Sequence, residues 1–323
     1  MKFLLVTELF PKFPGGAEYH GFRMLKELQR RGHDVSVFCS YIKDLITSEE
    51  AGFPIHSCRV NDLDKDFDKA IEVLGKPDVI LASSYWARMF FEQMKRLNVP
   101  MCDIVHNPVV REDFDYYLFN SNNTKIEALK LDKKELKIYS KKSFVIYPLC
   151  NHLPIARMNN FEYDVGMIKL TNDKGQKIFW ELAKKFPDKK FLAVRGAWDK
   201  LDVLETLPNV TMIPYTTDIV NDFFKKIRVH LHPSYAETFG MAALESLYLG
   251  VPLLFRNIDG LYESVGEGGV SCRDNDFEQN LRNLFNVQEY NNIKVKGFKH
   301  AAEIYDKTME QYDDWLGDLN GSK

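Results

Sequence analysis

What this chain lacks narrows its class. None of its 323 residues fall in a stretch approaching the roughly 20 apolar positions of a membrane-spanning helix. The opening run, MKFLLVTELFPKFPGG, is too short for a secretory leader and meets a turn instead of a cleavage site, so a soluble, cytoplasmic protein is expected. Its 5 cysteines, Cys39, Cys58, Cys102, Cys150 and Cys272, are scattered without a C-x-x-C pair, which argues against a disulfide scaffold or a zinc site. Charge of one sign is missing too: 43 Lys and Arg against 46 Asp and Glu leave a net charge of -3, too little to mark a nucleic-acid or polyanion binder. There is no G-x-G-x-x-G dinucleotide fingerprint, and no Ser-His-Asp or Cys-His signature stands out.

What is present is an alternation of short apolar runs and helical patterns. Lys2 to Val6 reads as a buried strand, a turn-rich segment with Pro11, Pro14, Gly15 and Gly16 follows, a helix runs from Ala17 to Arg31, and Asp34 to Phe38 returns as a strand. Strand, glycine turn, helix, strand is the opening of a doubly wound parallel sheet. The rhythm continues with a strand at Asp78 to Ser83, a helix from Tyr85 to Leu97, and strands at Pro100 to Val105, Tyr116 to Ser121 and Phe144 to Tyr147. Residues 148–161, PLCNHLPIARMNNF, carry two prolines and no sustained period, which suits a linker. A second series then starts at Tyr163 to Ile168. Two Rossmann-like domains are expected, 1–150 and 151–300.

The stretch from His232 to Pro252, HPSYAETFGMAALESLYLGVP, organises the rest. A strand ends, a polar loop turns, and a helix opens near Gly240, with Glu237 in the loop and Glu245 eight positions later. A rise of about 1.5 Å per residue sets the second carboxylate roughly 8 to 12 Å beyond the loop, the length of a nucleotide sugar. The first amides of a helix lack partners inside it and favour phosphate. The plainer alternative makes Glu237 a helix cap and Glu245 a solvated carboxylate.

Glutamate, seven residues, glutamate in this frame resembles the retaining nucleotide-sugar glycosyltransferases of family-four type (glycosyl transferases group 1), enzymes of the GT-B fold. The resemblance implies an α/β protein of two Rossmann-like doubly wound domains facing a cleft, with the C-terminal helix, 301–323, crossing back to the first domain; Trp315 is a candidate anchor there. By resemblance Glu237 touches the transferred sugar, the backbone of Thr238, Phe239, Gly240 and Met241 holds the diphosphate, and Glu245 bonds the ribose hydroxyls. GGAEYHGFRMLKELQRRGHDVSVF is similar to the family's Gly-Gly loop, which puts Gly15 and Gly16 beside the donor or acceptor. A histidine at the end of a parallel strand faces the ligand edge of such a sheet, and by resemblance His106 contacts the sugar or helps hold the acceptor. Lys174 before Gly175 matches the lysine that neutralises the departing diphosphate. The family's arginine is absent; Lys169 stands nearest its place, with charge but no bidentate fork. Tyr215 follows a strand at the position the family uses for the base.

Other chemistries fit less well. His230 and His232 share a strand face, yet no acid or third ligand accompanies them at metal-binding spacing, so no metal and no cofactor beyond the donor are expected. Asp64, Asp66 and Asp68 lie in a polar helix-like stretch and read as surface. The lysines Lys125, Lys130, Lys133, Lys134, Lys137, Lys141 and Lys142 read as a solvated face, with weak membrane-surface association as the less ordinary role.

The expected activity is metal-independent transfer of a sugar from a nucleoside-diphosphate sugar to an acceptor hydroxyl with retention. The acceptor is open among a glycan, a lipid carrier, a small molecule and a modified nucleic-acid base. A sugar-nucleotide epimerase of the same fold and a non-catalytic nucleotide-sugar-binding subunit are the alternatives.

Overall fold

The computed structural model describes residues 1–8, 15–40, 47–109, 114–131, 141–150, 161–196 and 206–321. Most of the segment expected to be a linker, and Lys133, Lys134 and Lys137 of the lysine-rich stretch, lie outside the described residues. The chain divides into two units, one of residues 1–149 with 311–323 and one of residues 150–310.

The first unit is built on seven parallel strands: β1 (Lys2–Thr7), β2 (Asp34–Ser40), β3 (Ile55–Cys58), β4 (Val79–Ser83), β5 (Met101–Val105), β6 (Tyr116–Phe119) and β7 (Lys142–Val145), in the order β3-β2-β1-β4-β5-β6-β7. Near-continuous apolar runs such as KFLLVT and VILAS are what a sheet covered on both faces requires. The strand order reverses between β1 and β4, the crevice position where open α/β sheets take ligands. Aromatic packing closes one face, with Phe38, Phe90 and Trp86 at ring distances of 5.1 and 4.8 Å.

That packing corrects one expectation. The helix anticipated from Tyr85 to Leu97 is two short helices, Ser84–Arg88 and Phe91–Arg96. The amides of Met89 and Phe90 bond back three residues, to Trp86 and Ala87, and the tightened turn lets Phe90 bury completely. The aspartates behave as surface groups: Asp62 caps the helix Leu63–Leu74, and Asp64 and Asp68 face Arg96.

The second unit repeats the design with six parallel strands: β8 (Tyr163–Ile168), β9 (Phe191–Val194), β10 (Val210–Ile213), β11 (Ile227–His232), β12 (Leu253–Arg256) and β13 (Val270–Cys272), ordered β10-β9-β8-β11-β12-β13. Its reversal lies between β8 and β11. Two Rossmann-like parallel sheets are thus present, as the GT-B fold has. The final helix, Val287–Gly321, runs on from the second unit, and its residues from Gln311 onward belong to the first. Trp315 is fully buried against Phe3 of β1, with ring centroids 5.9 Å apart. No described helix is long and apolar enough to cross a membrane. All five cysteines are free, and burial pushes the thiols of Cys39 and Cys272 up to about 12 and about 11.

Candidate active site

The densest arrangement of predicted residues lies where β8 and β11 end. After β8 the chain passes Lys169, whose backbone is left-handed at φ 61°, and folds LTNDKG into successive tight turns before the helix Gln176–Lys185. After β11 it runs through HPSYAETFG to the helix Met241–Tyr248. The amide of Tyr235 donates to the carbonyl of Asp173 at 2.9 Å, so the two loops are tied backbone to backbone. Gly175 makes the approach possible: a Cβ there would stand 2.3 Å from the carbonyl oxygen of Pro233, and its φ of 83° suits glycine.

Glu237 occupies the middle. Lys174 Nζ donates to Oε1 of Glu237 at 2.6 Å, and His232 Nε2 lies 3.1 Å from the same oxygen. All three side chains are mostly buried, at 16% exposure for Glu237, 21% for Lys174 and 10% for His232. Burial alone would raise the Glu237 carboxyl. The hydrogen bond and charge of His232, joined by Lys174, outweigh it and hold the carboxyl down to about 2. Glu237 is therefore ionised, with Oε1 anchored and Oε2 outside both bonds.

The plainer reading of the two glutamates fails. The helix Met241–Tyr248 is capped by Gly240 in a left-handed conformation, with no side-chain cap, so Glu237 is not the capping residue. Glu245 is no solvated carboxylate: it sits on the buried face of that helix at 7% exposure. Phe239 is in the core at 1% exposure, so only its backbone can meet a ligand, whereas Thr238 and Met241 are half-buried. Tyr215 is half-buried and follows β10, the outer strand, two places from β8. In the first unit, Gly15 and Gly16 are exposed at the start of the helix Gly16–Arg30, and His106 follows β5.

Three supporting residues were not foreseen. Arg256, at the end of β12 and 8% exposed, donates from Nε to the carbonyl of Pro233 at 2.9 Å, pairs with Asp274, and lies 3.9 Å over the ring of Tyr235. It braces the loop that carries Glu237, and its signal was a charged residue closing an apolar strand. Gly260 lies under the same loop, where a Cβ would fall 2.0 Å from the carbonyl oxygen of Glu237. His20 bonds His106. His230, considered with His232 for a metal, is instead boxed by Phe223 and Phe224 at 5.6 and 5.5 Å. Among the described residues no group of three His, Cys, Asp or Glu is arranged to hold a metal.

Comparison with known proteins relates each unit to glycosyltransferases. Residues 166–299 match the model of "Glycosyl transferases group 1" and residues 14–134 that of "Glycosyltransferase Family 4". The first match lies within the second unit and the second match within the first. The capsular polysaccharide biosynthesis glycosyltransferase CapM of Staphylococcus aureus is 24% identical over 195 residues, covering 51% of this chain and 50% of CapM. A D-inositol 3-phosphate glycosyltransferase of Nocardiopsis dassonvillei is 36% identical over 105 residues, covering 30% of this chain and 24% of that protein. The chain thus spans half or less of the curated relatives it matches. Among solved structures, Anabaena HepE in complex with UDP and glucose superposes with a TM-score of 0.75 at 16% identity, covering 98% of this chain and 99% of HepE. At that identity the likeness establishes the fold.

Proposed function

We propose that the chain moves a sugar from a nucleoside-diphosphate donor to an acceptor hydroxyl, with retention at the anomeric carbon and without a metal ion. The observation that carries the reading is the Glu237 carboxylate, kept ionised by Lys174 and His232 where β8 and β11 part. HepE binds UDP-glucose, which favours a UDP-sugar among the possible donors here.

In this reading the barrier is loss of the diphosphate from a sugar becoming oxocarbenium-like. An ammonium has three donors; Lys174 directs one at Glu237 and keeps two for phosphate oxygens. Lys169, on the neighbouring turn, adds a second cation, and backbone amides from Phe239 to Met241 add fixed dipoles. Charge growing on the leaving group thus meets preorganised partners, usually the largest catalytic contribution. Oε2 of Glu237 accepts from a sugar hydroxyl, and Glu245 from the ribose. The leaving phosphate itself takes the acceptor proton, so no separate base is needed. The acceptor is a glycan, a lipid carrier, a small molecule or a modified nucleic-acid base.

The test is a thermal-shift panel of UDP-, GDP-, ADP- and dTDP-sugars with a chelator present, followed by a transfer assay on the donor that binds. A donor at 100 times its dissociation constant adds about 2.7 kcal/mol of stability. Absence of any shift, or a shift that requires a divalent ion, would overturn the proposal.

A further inference from the structure

The first unit holds a pair of histidines that the proposed reaction leaves unexplained. His20, on the helix Gly16–Arg30, is 1% exposed. Its Nδ1 lies 3.0 Å from Nε2 of His106, with the rings edge to face at 5.1 Å and 85°. Burial, helped by His106 and Arg23, holds His20 well below its ordinary range, and burial brings His106 down to about 4. Both rings are therefore neutral near pH 7. Two neutral imidazoles share a single proton in such a bond, so one ring donates and the other accepts.

The outer nitrogens decide which. Nε2 of His20 is buried with no hydrogen-bond partner among the described residues. Were His20 the acceptor, its proton would sit on that nitrogen as a buried N–H with nothing to receive it. With His20 as donor, only a lone pair is stranded there, the lesser of the two defects. His106 is only partly buried, and its bond to His20 is the one its ring makes among the described residues. Its own proton then belongs on Nδ1, the nitrogen turned away from His20.

We infer that His20 is a positioning residue that fixes His106 as the Nδ1–H tautomer, so that the end of β5 offers an N–H donor, not a base, to a ligand oxygen at the edge of its own sheet. A ring free to exchange tautomers would present a donor part of the time; one held by its neighbour presents it always. The recipient oxygen rests on the function proposed above, whereas the tautomer does not.

Nitrogen-15 NMR of the full-length protein separates the two. Ring nitrogens are correlated with their carbon-bound protons, and His106→Gln assigns the His106 signals. The expected wild-type spectrum has Nδ1 of His106 protonated and Nε2 bare. His20→Leu moves His106 toward the tautomer mixture of a free imidazole, and His20→Asn, whose amide can donate from the same place, restores Nδ1–H. In the transfer assay His20→Leu lowers kcat about tenfold, and His20→Asn recovers most of it. A wild-type His106 protonated at Nε2 overturns the inference, even if neither variant folds. An unchanged tautomer in folded His20→Leu overturns it equally. The expected tautomers without any transfer would leave the inference standing and remove the proposed function.

Discussion

Lys174 and Glu237 meet at 2.6 Å although 63 positions separate them in the chain. His232 reaches the same carboxylate oxygen, so the anion is held from two sides. Lys174→Ala is expected to lower transfer about a hundredfold or more. It also destabilises the fold by about 1–3 kcal/mol, because a mostly buried carboxylate loses a charged partner. Glu237→Gln keeps the shape and should cost activity with less stability. Denaturant midpoints and kcat on the same preparations check both; equal losses of stability in the two variants would contradict the account.

Acid should loosen this protein earlier than its charge balance suggests. His106 takes up its proton near 6.5 when unfolded but only at about 4 when folded. The unfolded chain therefore binds the extra proton in that window, and stability falls as pH drops through it. Glu237 continues the trend from 4.5 down toward about 2, since its folded carboxylate resists protonation. Unfolding temperatures measured from pH 8 to pH 4 should decline below about pH 6.5, and the decline should be shallower in His106→Gln. A flat profile would refute this.

Gly260 supports Glu237 from beneath. Gly260→Ala puts a methyl group 2.0 Å from the Glu237 carbonyl oxygen, and the backbone must move. The expected cost is about 1–3 kcal/mol of stability, as for overpacking elsewhere. A displacement near 1 Å at the reacting centre costs about a hundredfold in rate, so activity should fall further than stability predicts. Calorimetry beside steady-state rates will tell the two apart.

Arg256 acts through the loop that it braces. Arg256→Lys retains the charge but loses the planar fork that bonds the Pro233 carbonyl and stacks on Tyr235. A loss of about 1–2 kcal/mol is expected, in keeping with one charged hydrogen bond and one cation–π contact. Donor KM should rise more than kcat falls. Unchanged donor binding would show the brace to be irrelevant to the site.

Much of the architecture could be read from apolar runs, and β8 has the bounds its residues predict. Where a run is polar or paired unexpectedly, legibility ends. β3, Ile55–Cys58, was not foreseen, because IHSC is half-buried at a sheet edge and carries little apolar signal. β7 pairs over Lys142–Val145, while Ile146 and Tyr147, which looked like its end, are buried beyond the ladder. Hydrophobicity reports burial, not pairing. The glutamates and Lys174 were visible from motif spacing, but their mutual contact, like that of His20 with His106 across 86 positions, exists only once the sheets are assembled.

Lys169 keeps a lysine where glycine would sit more easily, with φ at 61°. An L-residue in that region forgoes about 1–2 kcal/mol, so Lys169→Gly should raise the melting temperature even as it weakens the grip on a nucleoside diphosphate. Thermal unfolding and titration with UDP test the two halves of that trade. If both move as stated, the turn after β8 is tuned for cargo and not for durability, and a more heat-resistant form of this protein will be found at the expense of its work.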